Sequence, residues 1–279
     1  MKREQLDNLT AFITGASRGI GRAIALKLAK HGVNVVIAAK TSTPHPKLPG
    51  TIHSVAEEVR ELGGRALPLA VDVRDDQAVA RAMAEAAEHF GGIDILINNA
   101  GAIQLTPVEQ TETKRFDLMM AINARAVFVC ARCALPYLKQ SDHAHIVSMS
   151  PPIQLEKKWL APHAPYTLSK YGMTLLSLGM AEEFRPYGIG VNCLWPKTII
   201  ATAAIEFAVG NQEMLKHART PEIMADATFE IVRSDPKELT GQTIIDETIL
   251  RERGYQDFSR YRHGPENVPL QADLFVDWD

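Results

Sequence analysis

Tyr166 and Lys170 stand four residues apart in Tyr166-Thr167-Leu168-Ser169-Lys170, inside a stretch with helical patterning. On a helix that spacing projects both side chains from one face, so a single ammonium can act on a single phenol. A free phenol ionises near about pH 10, and each unit by which the phenolate is stabilised corresponds to about 1.4 kcal/mol. A tyrosine helped in this way can give or take a proton near neutral pH. The same spacing also occurs in surface pairs without chemistry, so the decision rests on what the rest of the chain brings beside it.

The elements that must do the positioning alternate. Apolar, β-branched runs at residues 10–14, 33–39, 66–71, 93–98, 145–149, 190–194 and 243–245 predict strands. Helical patterns fall between them at 19–31, 52–62, 76–90, 121–138, 165–184 and 221–233. Short buried strands separated by helices predict an α/β fold: one domain, with about seven strands in a doubly wound parallel sheet and helices on both faces. Two segments interrupt the pattern. Residues 41–50 hold three prolines and predict an extended loop, and residues 199–220 form a mainly apolar insertion. The division is a body over residues 1–254 and an aromatic, proline-rich tail over 255–279, either docked or partly disordered.

Composition narrows the class. With 46% hydrophobic residues in 279, the chain has an ample core for one large domain. A net charge of −3 gives no field for a nucleic-acid backbone or an anionic membrane. The N-terminus lacks a signal-peptide core and no stretch reads as some 18 consecutive apolar residues, so a cytoplasmic location is expected. Cys130, Cys133 and Cys193 are expected as thiols. The C-x-x-C lies in an apolar helical run, where buried small hydrophobes are favoured over a redox pair. The histidines show no metal-ligand spacing, and no metal is expected.

The first strand runs straight into Thr14-Gly15-Ala16-Ser17-Arg18-Gly19-Ile20-Gly21 and then into a helix. Glycines here permit a tight turn and close approach of backbone to a pyrophosphate, whose charge the helix N-terminus stabilises. Gly15, Ser17, Arg18, Gly19, Ile20 and Gly21 are therefore candidate cofactor residues. An acidic residue at the end of the second strand would select NAD(H); the chain has Lys40 there, and with Arg18 this predicts NADP(H) in preference to NAD(H). Either cation alone could be a solvated surface charge. Asp72 is placed to bond an adenine amine, with the Val73 backbone beside it, or else to cap the next helix. Asn98-Asn99-Ala100-Gly101 ends the fourth strand, where Asn99, Ala100 and Gly101 would line the crevice.

Joined in this order, these motifs and the Tyr166/Lys170 pair resemble the short-chain dehydrogenase/reductase family over about residues 9–246. The likeness is greatest to the hydroxysteroid dehydrogenase-like protein 2 group and related bacterial dehydrogenases. It is carried by Ala38-Ala39-Lys40-Thr41, by Pro44-His45-Pro46-Lys47-Leu48-Pro49-Gly50-Thr51, by Ser150-Pro151-Pro152 and by Leu194-Trp195-Pro196-Lys197-Thr198. Eukaryotic members of that group carry an added sterol-carrier domain, which this length is not expected to hold. The resemblance implies that Tyr166 is the proton donor or acceptor and that Lys170 also holds the nicotinamide ribose. It further implies that Asn123 interrupts a long helix and binds a relay water, and that Pro196, Thr198 and Ile199 lie against the nicotinamide. The family's usual serine after the fifth strand falls on Pro151, which has no donor. Ser150 is the nearest substitute, with Ser148 on the same face, and otherwise Tyr166 or water supports the substrate oxygen. The family also implies a homodimer or homotetramer built through the helices at 121–138 and 165–184.

The expected activity is hydride exchange between NADP(H) and a small-molecule carbonyl or alcohol. Ile200, Ala203, Ala204, Ile205, Phe207, Ala208 and Val209, with Trp159, suggest an apolar substrate that is isoprenoid, fatty or steroid-like, although core packing accounts for them equally well. Two alternatives are an NADP(H)-binding sensor or scaffold with little turnover, and an acyl-thioester C=C reductase.

Overall fold

A computed structural model describes residues 6–46, 48–203, 205 and 212–277. The strands β1 (Thr10–Thr14), β2 (Asn34–Ala39), β3 (Ala66–Ala70), β4 (Ile95–Asn98), β5 (His145–Ser148), β6 (Gly190–Trp195) and β7 (Thr243–Ile245) form one parallel sheet in the order β3-β2-β1-β4-β5-β6-β7. Every residue of β1, β2, β4, β5 and β6 is buried, which is why these segments read as continuous apolar runs rather than alternating ones.

Helices cover both faces. On one side α1 (Gly19–Ala29) and α8 (Glu222–Val232) enclose a core containing Ile24, Leu28, Ile223 and Phe229. On the other, α3 (Asp76–Phe90), α5 (Ala126–Leu138) and α7 (Ala164–Glu183) pack Met83, Val127, Cys130 and Met173 against the sheet. Between β2 and β3, α2 (Ile52–Glu61) starts with a reciprocal cap between Thr51 and Ser54. The cap of α3 is Asp75, whose carboxylate accepts from the N–H groups of Gln77 and Ala78; Asp72 does not fill that role.

The helix expected at 121–138 begins earlier. It opens as α4 (Thr113–Met120), passes through a single π turn at Ala121–Arg125, and continues as α5. This continuous run, Thr113–Leu138, is by length and composition apolar enough to cross a membrane, although polar and charged residues such as Asn123 and Arg125 interrupt it and it holds no unbroken stretch of roughly 18 apolar residues. Half of its most apolar window is buried inside the fold. Two further helices were not anticipated, α6 (Lys157–Leu160) and α9 (Asp246–Glu252).

The segment after α9 lies against the body. Phe258 and Tyr261 are buried, and the Tyr261 hydroxyl donates to Asp226 on α8 at 2.6 Å. Residues 271–277 then run as a strap beside the end of β6. Ile199 N–H donates to the Gln271 carbonyl (3.1 Å), Asp273 N–H to the Lys197 carbonyl (3.0 Å), and the Trp195 indole N–H to the Leu274 carbonyl (2.8 Å). Of the insertion residues singled out in the sequence, Ala204, Phe207, Ala208 and Val209 lie outside the described residues.

Candidate active site

Strand order reverses between β1 and β4, and a cavity of about 990 Å³ opens there at the C-terminal ends of the strands. Ligands of open α/β sheets bind in such crevices. The turn after β1 is locked to the turn after β4. Thr14 Oγ1 accepts from the N–H groups of Asn99 and Ala100, both at 3.0 Å, while Asn99 Nδ2 donates to the Thr14 and Gly15 carbonyls at 2.9 and 3.1 Å. This packing explains two glycines. Gly15 has φ +67°, and a Cβ at Gly21 would meet the Gly15 carbonyl at 2.6 Å and Asn99 Nδ2 at 2.5 Å. Gly21 therefore serves the turn from behind and does not line the cavity, whereas Gly15, Ser17, Arg18, Gly19 and Ile20 do. No side chain caps α1, so its first N–H groups are available to an anion.

At one end of the cavity stand Lys40, Thr41, Arg18 and Asp72. The loop at 41–50 holds Arg18: its guanidinium donates to the carbonyls of Pro49 (2.9 Å) and Gly50 (3.2 Å) and to Thr41 Oγ1 (3.2 Å). That constraint gives the proline-rich segment a structural purpose that its sequence did not disclose. Arg74 grips Asp72 through both carboxylate oxygens, and this bonding holds the Asp72 carboxyl below its ordinary range. Lys40 approaches the same carboxylate only to 3.9 Å and stays largely in solvent.

At the other end, Tyr166 and Lys170 descend from the first turns of α7 and are both buried. The Lys170 ammonium donates to the Met149 carbonyl and lies 5.0 Å from the centre of the Trp195 ring. Burial pushes Lys170 down to about 7 and pushes the Tyr166 phenol up. The phenol has no hydrogen-bond partner among the described residues, and Tyr166 lines the cavity. Asn123, in the π turn, is fully buried. Its amide pairs with both backbone groups of Ala102 at 2.9 Å and donates to Ser169 Oγ at 2.9 Å, tying the turn after β4 to α7. Both side-chain N–H donors are thereby engaged. π turns recur at functional positions, and the sequence signal for this one was an asparagine inside an apolar helix.

Val73, Asn99, Ala100, Gly101, Pro196 and Ile199 also line the cavity; Thr198 is fully buried beside it, with its hydroxyl unpartnered among the described residues. Ser150 does not reach the cavity. It is buried with Thr174 and Ser177 around the Cys193 thiol, because the chain turns at the end of β5 and Ser150 N–H bonds back to the Ser148 carbonyl at 2.8 Å. Ser148 likewise faces α7 and accepts from Ser177 and Asn98. Trp159 also lies outside the cavity lining, packed on Phe275 at 6.0 Å between ring centres. Sequence reasoning missed the wall built by Asp273 and Leu274 of the strap, together with Ile103, Leu105, Arg115 and Met214.

The donor set suits a nicotinamide dinucleotide: open helix N–H groups midway, and a phenol–ammonium pair at the inner end. Residues 9–209 match the family described as short chain dehydrogenase, and the chain belongs to that family of nicotinamide-dependent oxidoreductases. Its sequence is 52% identical over 273 residues to hydroxysteroid dehydrogenase-like protein 2 from Homo sapiens, covering 98% of this chain and 64% of that protein. The chain thus spans a little under two thirds of that relative's length. A crystal structure of a short chain dehydrogenase from Mycobacterium thermoresistibile is 48% identical with a TM-score of 0.92, covering 98% of this chain and 96% of that one. A metagenomic short-chain oxidoreductase solved in complex with NADP is 26% identical with a TM-score of 0.71, covering 86% and 97%.

Proposed function

We propose that this protein is an NADP(H)-dependent oxidoreductase acting on a carbonyl or alcohol, with Tyr166 as the group that gives or takes the proton. One observation carries this: a buried phenol and a buried ammonium, one helical turn apart, face a crevice whose far end holds Lys40 and Arg18. A bound nicotinamide would supply or accept the hydride. In the reductive direction, the Tyr166 O–H bond breaks as its proton passes to the substrate oxygen, which becomes the hydroxyl of the product alcohol. The ammonium of Lys170 stabilises the phenolate left behind and, with the family, holds the nicotinamide ribose. Asn123 fixes the turn after β4 against α7, so that phenol and cofactor keep their relative placement.

The substrate is proposed to be apolar, of isoprenoid, fatty or steroid-like character. Ile103, Leu105, Ile200, Ala203, Ile205 and Met214 are apolar residues that line the same cavity as the phenol. A homodimer or homotetramer is proposed through α5 and α7, on which Phe128, Leu168 and Leu175 are exposed.

The test is Tyr166→Phe assayed by NADPH oxidation against a panel of medium-chain, terpenoid and steroidal carbonyls. Turnover should fall by about 10³-fold while NADPH fluorescence titration shows unchanged binding. A wild-type protein that binds NADPH yet turns over nothing in the panel refutes the carbonyl reductase function and favours a sensor.

A further inference from the structure

The family's usual hydroxyl after β5 is missing from this cavity: Pro151 stands in the expected sequence position and Ser150 is turned toward Cys193. The substrate oxygen would then have one protein donor, Tyr166, where a reacting carbonyl is best served by two. The strap supplies a second polar group at the same place. Asp273 lines the cavity with Tyr166, Lys170 and Asn123. One of its oxygens, Oδ1, accepts from Leu274 N–H at 2.6 Å, and the other has no hydrogen-bond partner among the described residues.

The backbone around Asp273 is firmly held. Its own N–H is bonded to the Lys197 carbonyl, Ala272 pairs with Thr198 in an isolated antiparallel bridge, and the Leu274 carbonyl receives the Trp195 indole N–H. The next residue, Phe275, is fully buried, stacked 6.4 Å from the Tyr166 ring and within 6.0 Å of Trp195. The ring that anchors the strap therefore lies against the ring that carries the reacting phenol.

We propose that Asp273 is a catalytic residue, its neutral carboxyl donating the second hydrogen bond to the substrate oxygen in place of the absent serine hydroxyl. Asp273 keeps its proton throughout; the proton that moves is that of Tyr166. This role rests on the oxidoreductase function proposed above. The electrostatics agree with it. Asp273 is enclosed by protein although open to the cavity, and burial pushes its carboxyl up to about 7, with Asp246 raising it further and Lys170 opposing. A substantial fraction is thus neutral near physiological pH and able to donate.

The experiment compares Asp273→Ala and Asp273→Asn with wild type in NADPH-dependent reduction of whichever carbonyl the wild type turns over. Melting temperature and NADPH binding are measured in parallel. Asp273→Ala should lower kcat by roughly 100-fold with cofactor affinity within about 2-fold, as expected for loss of one oxyanion donor. Asp273→Asn keeps an N–H donor and should recover at least about ten-fold of that loss. A structural role would instead depress melting and cofactor binding together. If the alanine variant does not fold, the asparagine variant decides. Tyr166, Lys170 and Asp246 face Asp273, so Asp273→Asn should remove one ionisation from the alkaline fall in rate and leave that of Lys170. A pH profile superimposable on wild type overturns the proposal, as does an alanine variant within about three-fold of wild type. Wild-type inactivity toward every carbonyl is a different failure, since it removes the oxidoreductase function and the role of Asp273 with it.

Discussion

Removing Lys40 offers a direct test of cofactor choice, because its side chain faces the corner that would receive a 2′-phosphate. Two unit charges 4 Å apart interact by about 1 kcal/mol in water and about 4 kcal/mol at the effective dielectric of a protein surface. The Lys40 side chain is 61% exposed, which favours the lower end. Its neighbour Asp72 already has both oxygens engaged by Arg74, so little of the Lys40 charge is consumed locally. The expected loss in Lys40→Ala is about 1 to 2 kcal/mol, a 5- to 30-fold weaker affinity for NADPH, with NADH affinity within about two-fold. Fluorescence titration of both reduced cofactors, at about 0.05 M and about 0.5 M salt, reads this without any substrate. The difference should shrink at the higher salt. Lys40→Asp should go further and reverse the preference, offering an acceptor to a free 2′-hydroxyl while repelling phosphate. Equal weakening of both cofactors in Lys40→Ala, or no change in either, refutes the assignment of this corner.

Two other perturbations address stability. Phe275→Ala removes a fully buried ring from the cluster of Tyr166, Tyr171 and Trp195, and should cost about 3 to 5 kcal/mol in chemical unfolding, with loss of turnover before loss of the sheet. Asp246 is buried, and burial pushes its carboxyl up to about 6, above its value in the unfolded chain. The fold therefore favours the neutral form; that contribution is complete below about pH 4 and lost as pH rises through about 6. Asp246→Asn keeps an acceptor for the Lys197 and Glu247 N–H groups, so it should gain about 3 kcal/mol relative to wild type at about pH 8 and nothing at about pH 4, measured by thermal melts.

The five central strands, β1, β2, β4, β5 and β6, were legible because each is buried on both faces and so is written as an uninterrupted apolar run; the edge strands β3 and β7 are only partly buried and were read from their short apolar segments. β1 and β7 fall where the pattern put them, and the others differ by a residue or two at their ends. The glycine turn, Lys40 and the Tyr166/Lys170 helix were legible for a similar reason: local spacing alone brings their groups to one end of the sheet. What escaped was nonlocal or mixed in composition. α4 reads Thr-Lys-Arg-Phe-Asp-Leu-Met-Met, too polar in its first half for a helical stripe, and the π turn after it breaks the period. Strand alternation correctly set Ser148 and Ser150 on one side, but not that this side is occupied by α7 instead of the crevice. The strap joins the cavity about a hundred residues after Tyr166 through backbone bonds to Lys197 and Ile199, which no periodicity encodes.

The π turn at Ala121–Arg125 acts as a phase shifter in an otherwise continuous rod. One additional residue in a turn rotates all that follows by roughly 100° relative to what precedes it. Met119 thereby points to the aromatic group around Tyr166, while Val127 and Cys130 point to the sheet. Deleting a single residue here would heal the helix yet swing one of those two sets out of its partner's reach. The local irregularity is thus what allows one helix to serve two cores.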